Sequence, residues 1–435
     1  MKKGIVIVAL GLALLCLCAA ILGVLSFSIR AVGLGGFLPR PNLSITAEAD
    51  EEKRLAVNGP TTLNIANTYG SVSITTTTGD EIIIAMHKVA YGRNEAEAQE
   101  ALAAIDVRVT QNGSDVKVVF DYPERSHLRV QNSDNARVDF TIQVPVDTAV
   151  TAHSDLGDVN LAGTNGAANL SSDYGDIDIA QVMGELAANT GSGKIEAEDI
   201  RAGEAGITLK SDYGNVALTR ADARNVDLFS GSGNLRLSEV QAGEKLNVES
   251  NYGDIDLAAG SASALTARTS SGKITLNELE VTGALSATSD YGNLELTDVQ
   301  AASYDLNTSS GAVTLEGAGG AVKAHSGYGN IRITGGEQAT LDLSTNSGTV
   351  EFTGTLGKGP HLLKSDYGSI TLTIPAETAL EIDLQTDYGS VKSAIPVTLS
   401  GDLDEKRWTG SINGGGESLT AETSSGDIRI ETLNP

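Results

Sequence analysis

The sequence predicts an all-β protein: a parallel β-solenoid (β-helix) of about 13 coils with ~19-residue repeats, preceded by a capping region with one short helix and by one N-terminal transmembrane helix. Three observations carry this. A unit of the form apolar-x-apolar-x-[Ser/Thr]-x-[Tyr/Ser]-Gly-x-apolar-x-apolar recurs down the chain. Within each unit apolar and polar residues alternate, which is the period of a strand. No helix-length segment separates the copies.

Composition narrows the class further. The 435-residue chain has 49 Gly and 9 Pro, only 4% aromatic residues and 2 Cys. Glycine lacks the density and strict period of collagen, and the cysteines are too few for a disulfide scaffold. There are 30 Lys+Arg against 56 Asp+Glu, a net charge of −26. Such a surface repels phosphate, so no nucleic-acid partner is expected. An apolar fraction of 40% supports a folded core. The acidity is uneven: residues 1–150 hold 13 Lys+Arg and 16 Asp+Glu, residues 151–435 hold 17 and 40. This charge keeps the distal body soluble and off an anionic membrane surface. A cation-binding face is the alternative.

At the N-terminus, residues 5–29 carry no charge. At ~1.5 Å per residue such a helix is long enough to cross a bilayer. Lys2 and Lys3 precede it, and no convincing small-x-small cleavage site follows. It reads as an uncleaved signal-anchor, with a cleaved signal as the alternative. The lysines favour a cytoplasmic tail at 1–4, opposed by Arg30 and Arg40 on the other flank. The expected placement is the cell membrane, single-pass, with the C-terminal body outside the cytoplasm. Cys16 and Cys18 lie within the apolar run, so the body is cysteine-free. Residues 30–42, with Gly and two Pro, read as a linker.

Residues 43–150 read as an N-terminal β-rich cap. Thr68-Tyr69-Gly70 begins like a repeat, and residues 81–86 (EIIIAM) form a candidate buried strand. Residues 94–105 suit a helix: Asn94 is a fair N-cap, acids fill the first turn, and Ala98, Ala101, Leu102 and Ile105 make an apolar stripe. Asn112-Gly113 between alternating segments signals a hairpin. A solenoid exposes strand edges and core at its ends, and this region would cover one of them.

The repeats occupy residues 151–400. Their glycines fall at 157, 175, 193, 214, 233, 253, 272, 292, 311, 329, 348, 368 and 389, with a last copy at Gly426 after a gap. Apolar residues change parity across the glycine, so the chain must turn or bulge there, and glycine suits a corner with positive φ. Repeats that cannot bury their own apolar face stack on their neighbours. An antiparallel meander closed at Ser-Asp-Tyr-Gly is the rival, and a ~38-residue coil also fits. The residue before Gly alternates Tyr174, Ser192, Tyr213, Ser232, Tyr252, Ser271 and onward to Tyr367. Its parity matches the inward positions, so a packed corner with large and small residues in alternate coils is expected. The alternative is an external ladder of rings, one every second coil, able to stack on the apolar faces of sugars. Residues 401–435 break the pattern around Trp408, the only Trp, and read as a C-terminal cap and last coil. A Trp-centred partner patch is the other reading.

Catalytic chemistry is hard to find. His87, His127, His153, His325 and His361 lie in separate segments with no pair at metal-ligand spacing. There is no nucleophile elbow and no phosphate-binding loop. Asp176/Asp178 and Asp254/Asp256 could chelate calcium, but other copies carry Asn or Ser there. No catalytic, cofactor-binding or metal residue is assigned, and no cofactor is expected.

The lead-in Val138–Pro145, the Ser-x-Tyr-Gly-x-Ile-x-Ile and Ser-Gly-x-Ile/Val-x-Leu units and the closing Ile412-Asn-Gly-Gly-Gly416 together resemble a bacterial β-strand-repeat family of unknown function, whose members are described as adhesins and are often membrane-anchored envelope proteins. The resemblance covers roughly residues 60–435. It implies a β-solenoid and no established catalytic residues. The expected function is a non-catalytic, membrane-anchored cell-envelope or surface module, adhesin-like in binding or scaffolding. The expected partners are the membrane through the N-terminal helix and an envelope protein or polysaccharide on the solenoid face; oligomeric state is left open. Two other readings remain: a β-helix enzyme acting on polysaccharide, and an intracellular polymerising solenoid scaffold.

Overall fold

The computed structural model describes residues 45–121, 136–400 and 404–433. The tail, transmembrane segment and linker expected over residues 1–42 lie outside the described residues, as do His127 and Leu403. Among the described residues, no helix is long and apolar enough to cross a membrane.

Strand pairing in the repeats is parallel. Ile177–Ala180 lies between Val159–Ala162 and the strand Ile195–Ser211, with Ile177 opposite Val159 on one side and Ile195 on the other. One sequence repeat therefore makes one coil, which removes both the ~38-residue coil and the antiparallel meander.

Each coil has three inward runs. In the strand Leu235–Ser250 the buried pairs are Leu235 and Leu237, Val240 and Ala242, and Leu246 and Val248. The first corner turns at Glu239, with φ 56°. Gln181, Asp199, Arg220, Ala259, Glu278 and Asp298 hold the same left-handed corner on other rungs. A non-glycine residue there costs about 1 kcal/mol, which stacking must offset. A register shift after Ala242 marks the second corner. The Gly-marked segment is the third.

Glycine serves that third corner for a different reason from the expected one. Neither Gly253 nor Gly272 has positive φ. A Cβ on Gly272 would overlap the carbonyl of Gly253 on the neighbouring rung, and one on Gly253 would overlap Gly233. The backbones of successive corners touch, and only a residue without a side chain fits between them.

These close approaches also give the stacking order. From Gly157 to Gly368 the rungs follow the chain, an uninterrupted solenoid of about 11 turns rather than about 13. The longer count took Gly389 as the rung after Gly368. Instead Gly426 stacks on Gly368, and Gly389 stacks on Gly426. Glu417–Thr423 pairs in parallel with both His361–Ser365 and Leu380–Thr386. Likewise Ile428–Thr432 lies between Ile370–Ile374 and Val391–Ser393. The last coil in sequence is thus interleaved between two earlier ones. Repeat spacing records chain order, and here chain order and spatial order part.

A similar displacement occurs at the other end. Gly157 stacks on Gly70. Thr61–Tyr69 lies between Thr148–Leu156 and Asp115–Phe120, and Val72–Thr77 between Val159–Ala162 and Ala136–Pro145. Beyond them, Glu81–Gly92 runs antiparallel on Ala136–Pro145, and Ile45–Ala56 antiparallel on Glu81–Gly92. The helix spans Glu95–Ala103; the Asn94 side chain accepts from the Glu97 N–H, and Ala98 is buried. Val107–Asn112 and Asp115–Phe120 form the antiparallel hairpin. Distally, Arg407–Ile412 runs antiparallel on Leu380–Thr386 and on Val397–Leu399.

Candidate functional site

The third corner concentrates the chemistry of the repeat. Three residue columns run along it, two serving the backbone and one facing solvent.

The Ser or Thr three residues before the repeat Gly is buried, and from Ser172 to Thr386 its hydroxyl both donates and accepts. Ser250 Oγ donates to the Gly233 carbonyl at 3.0 Å and accepts from the Gly253 N–H at 2.9 Å. Ser289 does the same between Gly272 at 2.9 Å and Gly292 at 2.8 Å. Only a hydroxyl can donate and accept at one small atom, so the position admits Ser and Thr. It joins two rungs at a place where the ladder of strand hydrogen bonds is interrupted.

The residue after Gly carries the second column. Asn234 Oδ1 accepts from the Asp254 N–H at 2.9 Å, and Asp254 Oδ1 from the Lys273 N–H at 2.8 Å. Asp176 Oδ1 accepts from the Lys194 N–H at 2.9 Å. The first member of each calcium-candidate pair is therefore hydrogen-bonded to the backbone of the next rung. Asn serves equally well as the acceptor, which explains its appearance in other copies. Asp178 is half-buried, 3.6 Å from Lys194 Nζ. Burial pushes its carboxyl above the usual carboxylate range despite that lysine. Asp256 lies 3.9 Å from Arg236.

The third column is the tyrosine series. Tyr174, Tyr213, Tyr252, Tyr291, Tyr328 and Tyr367 are each between 67% and 71% exposed, and Tyr388 is 84% exposed. The packed corner expected from parity is therefore not formed. Alternation was carried one residue too far: inward packing ends at the buried hydroxyl, and the tight turn that follows aims the residue before Gly outward. The column is an external ladder.

Its order matters more than its exposure. In chain order Tyr367 and Tyr388 occupy consecutive repeats, which would break the alternation. In space the interleaved coil puts Ser425 between them, because Gly426 stacks between Gly368 and Gly389. At the proximal end the order is Tyr69, Leu156, Tyr174. A ring therefore sits on every second rung from one end of the stack to the other. The residue before the ring is acidic on five of these rungs, at Asp173, Asp212, Asp290, Asp366 and Asp387, whereas serine rungs carry Gly, Ser or Asn there. Lys406 Nζ lies 6.0 Å from the Tyr388 ring centroid, at the distal end of the ladder.

Two other features escaped sequence reading. His153, Asp155 and Asp173 each place one ligand atom within 4.8 Å of the others. His153 Nε2 is 2.8 Å from Asp155, and Nδ1 is 2.8 Å from Ser171 Oγ. Asp173 joins from the next rung, so no local spacing could have announced the group. Trp408, offered as a partner patch, is half-buried against the core instead.

His361 is the other. It is 1% exposed, Nδ1 accepts from the Leu341 N–H at 3.4 Å, and Nε2 has no hydrogen-bond partner among the described residues. Burial holds the imidazole below its ordinary value, against the smaller opposing pull of the nearby Gly357 backbone and the Glu417 carboxylate. The neutral ring is the folded form, so the unfolded chain takes up the extra proton on acidification. Stability is then complete above about pH 6.5 and falls below it, by up to about 1.4 kcal/mol per pH unit. Urea midpoints between pH 7.5 and 5 (experimental settings of roughly one unit either side of the free imidazole value) should drop more for the parent than for His361→Gln, which keeps an acceptor but does not titrate. Parallel curves would remove His361 as the cause.

The stacked parallel coils and the exposed tyrosine column define the class: an all-β repeat solenoid with a ladder-bearing edge. The family model Toastrack DUF4097 matches residues 61–296 and 264–431. The chain belongs to this β-repeat family, whose function is unknown. Among solved structures, the chain is similar to a proposed cell adhesion protein from Clostridium sporogenes ATCC 15579, at 10% identity over 89% of this chain and 100% of that one, with a TM-score of 0.18. It is also similar to a proposed adhesin from Bacteroides fragilis NCTC 9343, at 12% identity over 88% of this chain and 97% of that one, with a TM-score of 0.20. No curated protein matches it.

Proposed function

We propose that the protein is a non-catalytic binding or scaffold module of the cell envelope, adhesin-like, anchored by residues 5–29 with its acidic body outside the cytoplasm. The observation that carries this reading is the exposed tyrosine ladder, kept in strict spatial alternation across the interleaved coil. Interior packing does not require that order, because the rings lie outside. A face presented to a partner would. The antiparallel strands flanking both ends of the stack favour a discrete body over an end-to-end polymer. A high negative charge and a cysteine-free body suit an oxidising exterior. Protease shaving of intact cells tests the placement: the body should be cut without lysis. Resistance until the cells are broken would favour the intracellular scaffold.

A further inference from the structure

We infer that the tyrosine ladder is a binding track for a single extended chain of uncharged β-1,4-linked hexoses, which takes one sugar on each ring and so engages every second sugar. This rests on the binding role proposed above and names its ligand.

Rungs stand ~4.8 Å apart, so rings on alternate rungs stand ~9.6 Å apart. Between them Ser232, Ser271 and Ser310 are small and exposed at the same corner. The ligand must therefore repeat along its length, and its repeat must span two rungs. A β-1,4-linked hexose chain meets this condition. Each sugar is about as long as a rung is high, and successive sugars are flipped, so the same face recurs at every second one. The apolar C–H face of a hexose stacks on a phenol ring. Its hydroxyls are donors, and the carboxylates beside the rings, such as Asp212 and Asp290, are acceptors.

Charge excludes the competing occupants. A net charge of −26 disfavours an anionic polymer. A second copy could interdigitate its rings with these, but it would bring two rows of aspartates face to face. A neutral polymer meets neither penalty.

The test is calorimetry on the purified full-length protein with cello- and chito-oligosaccharides of increasing length. Affinity should climb in steps of two sugars. The triple variant Tyr252→Ala/Tyr291→Ala/Tyr328→Ala should weaken binding on the order of a hundredfold, at about 1 kcal/mol per ring, with its melting midpoint unchanged because the rings are exposed. Ser271→Tyr, which fills a gap rung, should abolish the two-sugar step. The inference is overturned by absence of saturable binding, by undiminished binding in the triple variant, by tighter binding of an anionic polysaccharide, or by a dimer that dissolves when the rings are removed. Failure here with a protease-accessible body leaves the envelope role standing. A protease-resistant body with intact sugar binding would remove the envelope role alone.

Discussion

Gly272→Ala should destabilise the protein by about 3 kcal/mol or more, among the largest effects expected of a single added methyl group. The added Cβ would overlap the Gly253 carbonyl oxygen and carbon, which are backbone atoms of a neighbouring rung. A flexible side chain could move aside; a stacked corner cannot, because Gly253 is itself pressed against Gly233 and the displacement would pass along the column. Gly206→Ala is the control. Its nearest neighbour would be the Asn225 carbonyl at 3.6 Å, and its φ is not in the left-handed region, so alanine there should be neutral or slightly stabilising. Denaturant unfolding of the two variants compares them directly. Equal midpoints would mean that the corners are not in backbone contact.

The second large effect is expected at the buried hydroxyls. Ser289→Ala removes the donor to the Gly272 carbonyl and the acceptor for the Gly292 N–H together. The Gly272 carbonyl would be left buried and unpaired, at roughly 1–3 kcal/mol, and the half-buried Gly292 N–H would add about 1 kcal/mol, so a loss of about 2–4 kcal/mol is expected. Ser289→Thr should be tolerated, because Thr269 and Thr308 make the same two bonds on the adjacent rungs. In a stack where each rung touches only its neighbours the damage should stay local. Hydrogen exchange should therefore quicken first around Gly272 and Gly292 and least near the ends. Uniform acceleration along the chain would contradict a locally coupled stack.

The solenoid was legible because its signals are local and repeated. Alternation within Ile207–Leu209 and Val216–Leu218, and a near-constant step between glycines, leave few architectures able to bury the apolar face. What was misread depends on contacts between rungs. Glycine at 253 or 272 looks the same in sequence whether it serves a left-handed turn or a close approach; only the neighbouring carbonyl distinguishes them. Tyr252 and its counterparts were assigned inward because alternation was extended through a corner where it does not hold. The triad His153, Asp155 and Asp173, and the unpaired ring of His361, likewise come together across rungs and leave no spacing to detect. The late copy around Gly426 was visible as a repeat, but nothing local to it records which level it occupies.

That interleaved level bears on how the molecule is made. As the chain leaves the ribosome, the segments around Gly368 and Gly389 emerge well before the one that belongs between them. If the two closed directly on each other, Tyr367 would meet Tyr388 on adjacent rungs and the slot for residues 417–432 would be lost. The distal end must therefore stay unsealed, or reopen, until residues 417–432 have been made. Chains halted before that segment would carry a gap in the interior and bare strands on both sides of it, so a closed stack reports that residues 417–432 have been made.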